Sequence, residues 1–112
     1  MAKQPLELVQ GTLDLLILSA LVKGPLHGYG VMRAIRDVSG DELQIEEGAL
    51  YPALHRLEAR RSIEAEWGRS ENQRRAKYYR LTGEGRRRLL AGAESWRRYV
   101  TAVGRILESA AC

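Results

Sequence analysis

One cysteine, Cys112, and two histidines, His27 and His55, are all the thiol and imidazole that this chain carries. A single thiol closes no intrachain disulfide and cannot by itself hold a metal cluster, which fits a reducing cytoplasm. The histidines lie far apart in sequence, and no Cys/His set has zinc-ligand spacing. Gly24, Gly28 and Gly30 miss the dinucleotide-binding spacing, no glycine-rich phosphate loop follows a strand, and no nucleophile motif occurs. The expectation is a protein that is not an enzyme and takes no metal and no cofactor. Long apolar runs are also missing. The longest, Leu15 to Val22, is too short to span a bilayer, and the N-terminus shows no basic region followed by a cleavage site. No membrane partner is expected, and the cytoplasm is the expected location.

What is present is a globular composition with an uneven charge. The 112 residues leave room for one modest core. The net charge is +4, but residues 1–54 hold four Lys/Arg against seven Asp/Glu, whereas residues 55–112 hold fourteen against seven. Basic charge gathered in one half points to a polyanion, or else to arginine used as a solubilising surface residue.

The most informative stretch is Glu46 to Arg60, EEGALYPALHRLEAR. At 100° per residue, Leu50, Ala53, Leu54 and Leu57 share one face, an ordinary core stripe. Gly48, Tyr51, Pro52, His55, Arg56 and Ala59 share the other. That face has few charges, very small residues and hydrogen-bonding tips, which suits close contact with something flat and anionic. Pro52 lacks an N–H and belongs in or near the first turn, so the helix is expected to begin close to Gly48. The stretch reads as a DNA recognition helix.

Taken in order, Pro5 to Gln10 is a short lead. Thr12 is the expected N-cap of a helix running to about Val22, with Asp14 favouring its positive end. Leu13, Leu15, Leu16, Ile17, Leu18 and Leu21 make that helix apolar nearly all round, which in a small protein implies cover from a second chain. Lys23-Gly24-Pro25 stops it. A second helix spans about Gly28 to Val38, with Val31, Met32, Ile35 and Val38 as its buried stripe. Leu43-Gln44-Ile45 reads as a brief strand before the Glu46–Arg60 helix.

The period then drops from 3.6 to about 2. Ile63 to Trp67 alternates as a half-buried strand, Gly68 to Arg75 is a polar loop, and Lys77 to Leu81 is a second strand with one of Tyr78 and Tyr79 in the core. A hairpin after a helix pair forms a winged helix-turn-helix. Its tip carries Arg69, Arg74 and Arg75, with Lys77 beside them, against Glu71 alone, suited to the phosphate backbone or the minor groove. Leu81-Thr82-Gly83 caps a last helix running to about Ser109, roughly 40 Å long at 1.5 Å per residue. Along it, Leu89, Ala93, Trp96, Val100, Val103 and Leu107 recur in steps of four and three, a heptad seam of under three heptads. A domain this small cannot bury such a helix, so pairing with another copy is expected, and close helix approach would offset the weak propensity of Gly92 and Gly104. The predicted fold is mainly α with a small β-hairpin wing: a winged-helix DNA-binding domain over residues 1–82 and a dimerisation helix over 83–112.

The segments VQGTLDLLILSAL, GPLHGYG, EGALYPALHRLE, EAEWG and RRAKYYRLTGEG, in that order, resemble the PadR family of bacterial transcriptional regulators. The likeness covers nearly the whole chain and is greatest to the short subgroup with a single C-terminal helix, many of whose members occur in acidobacteria. It implies a homodimeric winged-helix repressor on near-palindromic double-stranded DNA, dimerised through its first and last helices and released by a small-molecule effector. Leu13 and Leu16 would then join the C-terminal seam at the interface. One departure stands out. The family has Gly and an apolar residue before the strand's Ile, where this chain has Arg61-Ser62-Ile63. A left-handed C-cap without glycine and a weakened core contact follow.

Single residues keep competing readings. The candidate DNA-binding set is Tyr29, Gly48, Ala49, Tyr51, Pro52, His55, Arg56, Arg69, Arg74, Arg75 and Lys77. Within it, His55 reads as a phosphate or base contact or as plain surface. Tyr51 reads as a DNA contact or a packing residue. Arg56 fits guanine O6/N7, a phosphate or a salt bridge with a nearby Glu. Tyr29, with His27, meets phosphate at the helix N-terminus or simply packs. Trp96 is either a core aromatic between two chains or the wall of a pocket for a planar aromatic or other small molecule. The alternative function is a winged-helix protein–protein module without DNA binding; four basic residues on one wing are superfluous to it.

Overall fold

A computed structural model describes residues 4–111; Cys112, with the inference from it, lies outside them. The element order is α1 (Leu13–Ala20), β1 (Leu26–His27), α2 (Gly28–Val38), α3 (Glu47–Ala59), β2 (Ile63–Arg69), β3 (Arg75–Leu81) and α4 (Gly83–Ala111). The three strands form one antiparallel sheet in the order β1-β3-β2. This is a winged helix with a long C-terminal helix.

The core is built around α3. Leu50, Ala53, Leu54 and Leu57 are buried, and they meet Ile17, Leu18 and Leu21 from α1 and its end, Val31 and Ile35 from α2, Ile45, Ile63 and Tyr79. Full burial of one such leucine stabilises by about 1.5–3 kcal/mol. Because that stripe is satisfied inward, Gly48, Tyr51, Pro52, His55, Arg56 and Ala59 all lie exposed, as the wheel predicts.

Several local expectations are corrected. Thr12 does not cap α1 with its side chain. Its backbone is already helical, at φ −87° and ψ −20°, and its hydroxyl donates to the Val9 carbonyl at 2.6 Å. The helix stops at Ala20 rather than Val22, because Leu21 and Val22 donate three residues back, to Leu18 and Ser19, tightening the last turn. Val38 is 90 % exposed. It shares the face of Val31 and Ile35 but lies one turn past the edge of the core. Residues 43–45 are not a strand: among the described residues no strand runs beside them, Leu43 N–H is taken by the Ser39 hydroxyl at 3.0 Å, and Ile45 plugs the core. The strand partner that does exist is β1, whose Leu26 and His27 pair with Tyr79 and Tyr78. The helix α3 begins at Glu47, close to Gly48 as expected, and Pro52 falls just past its first turn. The Gly48 carbonyl therefore has no helical donor four residues on, and it sits on the exposed face.

The turn between α3 and β2 carries the departure noted in the sequence. Arg61 adopts φ +62°, a left-handed conformation in which an L side chain crowds its own carbonyl. Ser62 is wholly buried, and its hydroxyl has no hydrogen-bond partner among the described residues. Thr82 ties this turn to α4. Its Oγ1 accepts from Gly85 N–H at 2.9 Å, while its proton faces the carbonyls of Arg61 and Ser62 at 2.7 and 3.0 Å. Gly85 is buried and indispensable there, for a Cβ on it would stand 2.0 Å from the Ser62 carbonyl oxygen.

From that anchor α4 extends 29 residues, about 43 Å at 1.5 Å per residue. Its first half lies on α1, where Gly92 allows close approach: a Cβ there would meet Leu15 Cδ1 at 2.9 Å. Gly104 has nothing within 4 Å of that position. Beyond Trp96 the helix leaves the body, and Tyr99, Val100, Ile106 and Leu107 are all exposed.

Relieving the turn should stabilise the chain. Ser62→Ala removes a buried, unpaired hydroxyl, which costs about 1–3 kcal/mol, and Arg61→Gly removes a left-handed penalty of about 1–2 kcal/mol, offset in part by the greater freedom of glycine when unfolded. Urea unfolding should show a higher midpoint for each variant with an unchanged slope; an unshifted Ser62→Ala midpoint would mean that the hydroxyl is satisfied in solution.

Candidate nucleic-acid interface

The exposed face of α3 has a centre and two edges. Turning 100° per residue, Gly48, Pro52, His55 and Ala59 fall in the middle, Tyr51 at one edge, and Arg56, Ala49 and Arg60 at the other. The central residues offer little bulk, so the backbone can approach a partner closely.

At its edge, Tyr51 leans over the start of α2. A Cβ on Gly28 would come within 2.7 Å of Tyr51 Oη, so only glycine admits the ring at that distance. His27 Nδ1 accepts from Gly30 N–H at 3.0 Å and thereby caps α2. Its ring is 6.4 Å from that of Tyr29 and 5.4 Å from that of Tyr78. Tyr29 is 57 % exposed beside the positive end of the helix. Tyr51 therefore packs on α2 with one side and remains 41 % exposed on the other.

The hairpin register decides which wing residues face α3. The pairs are Ile63–Leu81, Ala65–Tyr79, Trp67–Lys77 and Arg69–Arg75. Alternation along each strand puts the buried Ile63 and Tyr79 on one face of the sheet, and Trp67, Arg69, Arg75 and Lys77 continue that same face beyond the core. Trp67 is thus 57 % exposed rather than half-buried, because the hairpin has outrun the helices beneath it. The Arg75 guanidinium lies 4.4 Å from the Trp67 ring centroid, a cation–π contact. Arg69 Nη1 donates to the Gln73 carbonyl at 3.3 Å, and Tyr78 Oη donates to the Arg69 carbonyl at 3.0 Å. Ser70 N–H donates to the Arg74 carbonyl at 2.8 Å and Gln73, at φ +61°, donates to Ser70, so the tip is a closed turn. Arg74 projects from it exposed, with no ion-pair partner among the described residues.

Between this wing, Tyr51 and the start of α2 runs an open groove of about 790 Å³, lined by Arg33, Arg74, Arg75 and Lys77 against Asp37 and Glu71, and by the rings of Tyr29, Tyr51 and Trp67. Such a lining of cations and aromatic faces suits a sugar–phosphate strand.

Two cations of the candidate set are already engaged. Lys77 Nζ lies 3.2 Å from Glu58 Oε1 and 5.7 Å from the Tyr79 ring centroid. Burial raises the Tyr79 phenol above its ordinary value of 10.0, the Lys77 ammonium pulling the other way, so the ring stays neutral. Arg56 is paired, though with Asp14 of α1 and not with a nearby Glu. Sequence reading missed that pair, as well as Arg33, Gly28 and the Trp67–Arg75 stack. Of these only the stack had a sequence signal, and reading it needs the hairpin register.

The other candidate surface lies along α4. Leu13, Leu16 and Leu89 are half-buried against the chain's own core, and Ala93 and Val103 are half-buried. Trp96, Val100 and Leu107 are exposed by 37, 46 and 63 %. Leu15, Leu16, Leu43, Leu89, Ala93 and Trp96 line an apolar depression of about 440 Å³. Among the described residues no set of His, Cys, Asp and Glu could hold a metal ion, and no helix is long and apolar enough to cross a membrane.

Comparison with known proteins agrees with this geometry. Residues 17–91 match the model of the transcriptional regulator PadR-like family. A transcriptional regulator from Clostridium thermocellum superposes with a TM-score of 0.78 at 32 % identity, over 86 % of this chain and 93 % of that one. A PadR family transcription regulator from Clostridium difficile gives 0.75 at 31 % identity, over 87 % and 99 %. A third, from Eggerthella lenta, gives 0.75 at 35 % identity, over 88 % and 84 %. The chain belongs to the PadR-like family of transcriptional regulators, and is a DNA-binding regulator rather than an enzyme.

Proposed function

We propose that this regulator is a homodimeric repressor of a near-palindromic operator, working in the cytoplasm and released by a small-molecule effector. The observation that carries the DNA-reading part is the exposed, nearly charge-free face of α3 flanked on one side by a basic wing on the same side of the molecule. Gly48, Pro52 and His55 meet base edges in the major groove, with Tyr51 and Ala49 at the margins. Tyr29 reaches a phosphate at the start of α2. Arg69, Arg74 and Arg75 follow the backbone on the wing side, while Lys77 is ion-paired with Glu58 beneath them.

Residues 1–82 serve as the reading head and residues 83–112 as the dimerisation helix. The apolar seam of Ala93, Trp96, Val100, Val103 and Leu107, uncovered over its second half, supports pairing with a second copy, joined by Leu13, Leu16 and Leu89. The Trp96-lined depression is where a planar effector stacks. It would act by favouring one spacing of the two heads over another.

The wing is tested by salt. Arg74→Ala and Arg75→Ala should weaken duplex binding about equally across sequences, each lowering the slope of log K against log salt by about 1. Full affinity in the double variant would remove the wing from the interface.

The recognition face is tested by selection from a random DNA pool. His55→Ala and Tyr51→Phe should change the preferred sequence, and wild-type protein should select two half-sites about one helical turn apart, or a multiple of it. Leu54→Ala, by contrast, should cost about 2–5 kcal/mol of stability. An identical selected site in both surface variants would refute base reading by α3.

For the seam, Trp96→Ala should shift sedimentation toward monomer. An unshifted equilibrium would place Trp96 outside the interface. Ligand titrations belong in a Trp67→Phe background, where quenching of Trp96 by planar aromatics together with loss of operator affinity supports the pocket, and quenching alone rejects it.

A further inference from the structure

Two arginines from the end of α3 converge on one carboxylate of α1. Arg56 Nη2 lies 3.0 Å from Asp14 Oδ1, and Arg60 Nη1 lies 3.8 Å from Asp14 Oδ2. The arginines are four residues apart and so share one edge of the helix. It is the edge opposite Tyr51 and the wing. Asp14 occupies the first turn of α1, where the helix dipole favours a negative charge whether or not an arginine is near. Its side chain is 28 % exposed against 50 and 52 % for the two arginines. The carboxylate is thus the recessed, anchored member of the cluster, and the guanidinium groups are open to an approaching polyanion.

We infer that Asp14 is a positioning residue for DNA binding, which holds Arg56 and Arg60 against α1 and attenuates their contact with phosphate. The inference rests on the assignment of the exposed face of α3 to DNA. A carboxylate and a phosphate are rival acceptors for the same planar fork of N–H donors. To reach a backbone phosphate, Arg56 must leave Asp14 or bring the carboxylate's repulsion with it. Two guanidinium groups and one carboxylate present a net charge of +1 to the phosphates, where the arginines alone would present +2. The wing side has no such brake at Arg74. The α3 surface therefore has one edge of free cation and one edge of restrained cation, and removing an acid should strengthen binding.

The test is a four-protein cycle: wild type, Asp14→Asn, Arg56→Gln and the double variant, each titrated over a range of KCl against a fluorescein-labelled duplex of mixed sequence. Asp14→Asn should bind about threefold tighter, the scale of an exposed ion pair, with a salt slope steeper by about 1. Arg56→Gln should cost less than about twofold in the wild-type background and about fivefold when Asp14→Asn has freed the guanidinium. Equal losses from Arg56→Gln in both backgrounds would overturn the inference, because Asp14 would then act only as a background charge. No loss in either background would overturn it and also remove Arg56 from the interface, leaving the wing and central-face assignments standing. Failure of the wild-type chain to bind any duplex would instead refute the DNA reading itself. Asp14→Thr repeats the cycle, with matched thermal unfolding curves, should Asp14→Asn lose its fold.

Discussion

The burial of Leu50, Ala53, Leu54 and Leu57 is the constraint on which the rest of the molecule depends. These four side chains close the space between α1, α2 and the hairpin, so α3 cannot rotate without exposing several of them. With the inward face held, the outward face is determined residue by residue: small or hydrogen-bonding side chains in the middle, Tyr51 over Gly28 at one edge, and Arg56 beside Asp14 at the other. The proposed reading surface needs a rigid mount, and the mount is the core itself.

The join between the head and α4 is made at a strained place. Arg61 in a left-handed conformation, the orphaned Ser62 hydroxyl and the Gly85 contact all fall within one turn. Thr82 spans it with both its donor and its acceptor. Stability is given up there, since glycine and an apolar residue would serve the same geometry at lower cost. What the turn secures is the direction in which α4 leaves the body, and hence where the proposed dimer seam lies relative to α3.

Charge is distributed on the same plan. The wing repeats one cation after another on the face toward α3, with Trp67 holding Arg75 in place. Six cations of the second half are matched to acids: Lys77 to Glu58, Arg80 to Glu64, Arg87 and Arg88 to Glu84, and Arg56 and Arg60 to Asp14. The Arg87 guanidinium, hydrogen-bonded to Glu84, lowers that carboxyl below its ordinary value. Six of the fourteen basic residues in the second half of the chain are thus paired with an acid. Arg69, Arg74 and Arg75 at the wing are among the cations that pair with no acid among the described residues.

The periodicity of residues 46–60 was enough by itself to determine which side of α3 is core, because burial there follows from the repeat of a regular helix. The same holds for the hairpin and for the Thr82 cap, while the strain at Arg61-Ser62 was legible only as a departure from the pattern of the family that the chain resembles. The family, too, was legible in the motifs, since their order and spacing survive along nearly the whole chain. Tertiary structure alone decided the rest. Val38 has the right period for burial and lies past the end of the core; Leu43 to Ile45 has the composition of a strand and no neighbour to pair with; Leu26-His27 becomes a strand because β3 lies beside it. Which cations are free is likewise a matter of what the fold brings near them. Asp14 and Arg56 are 42 residues apart, and no local pattern records a contact made only when α1 packs on α3.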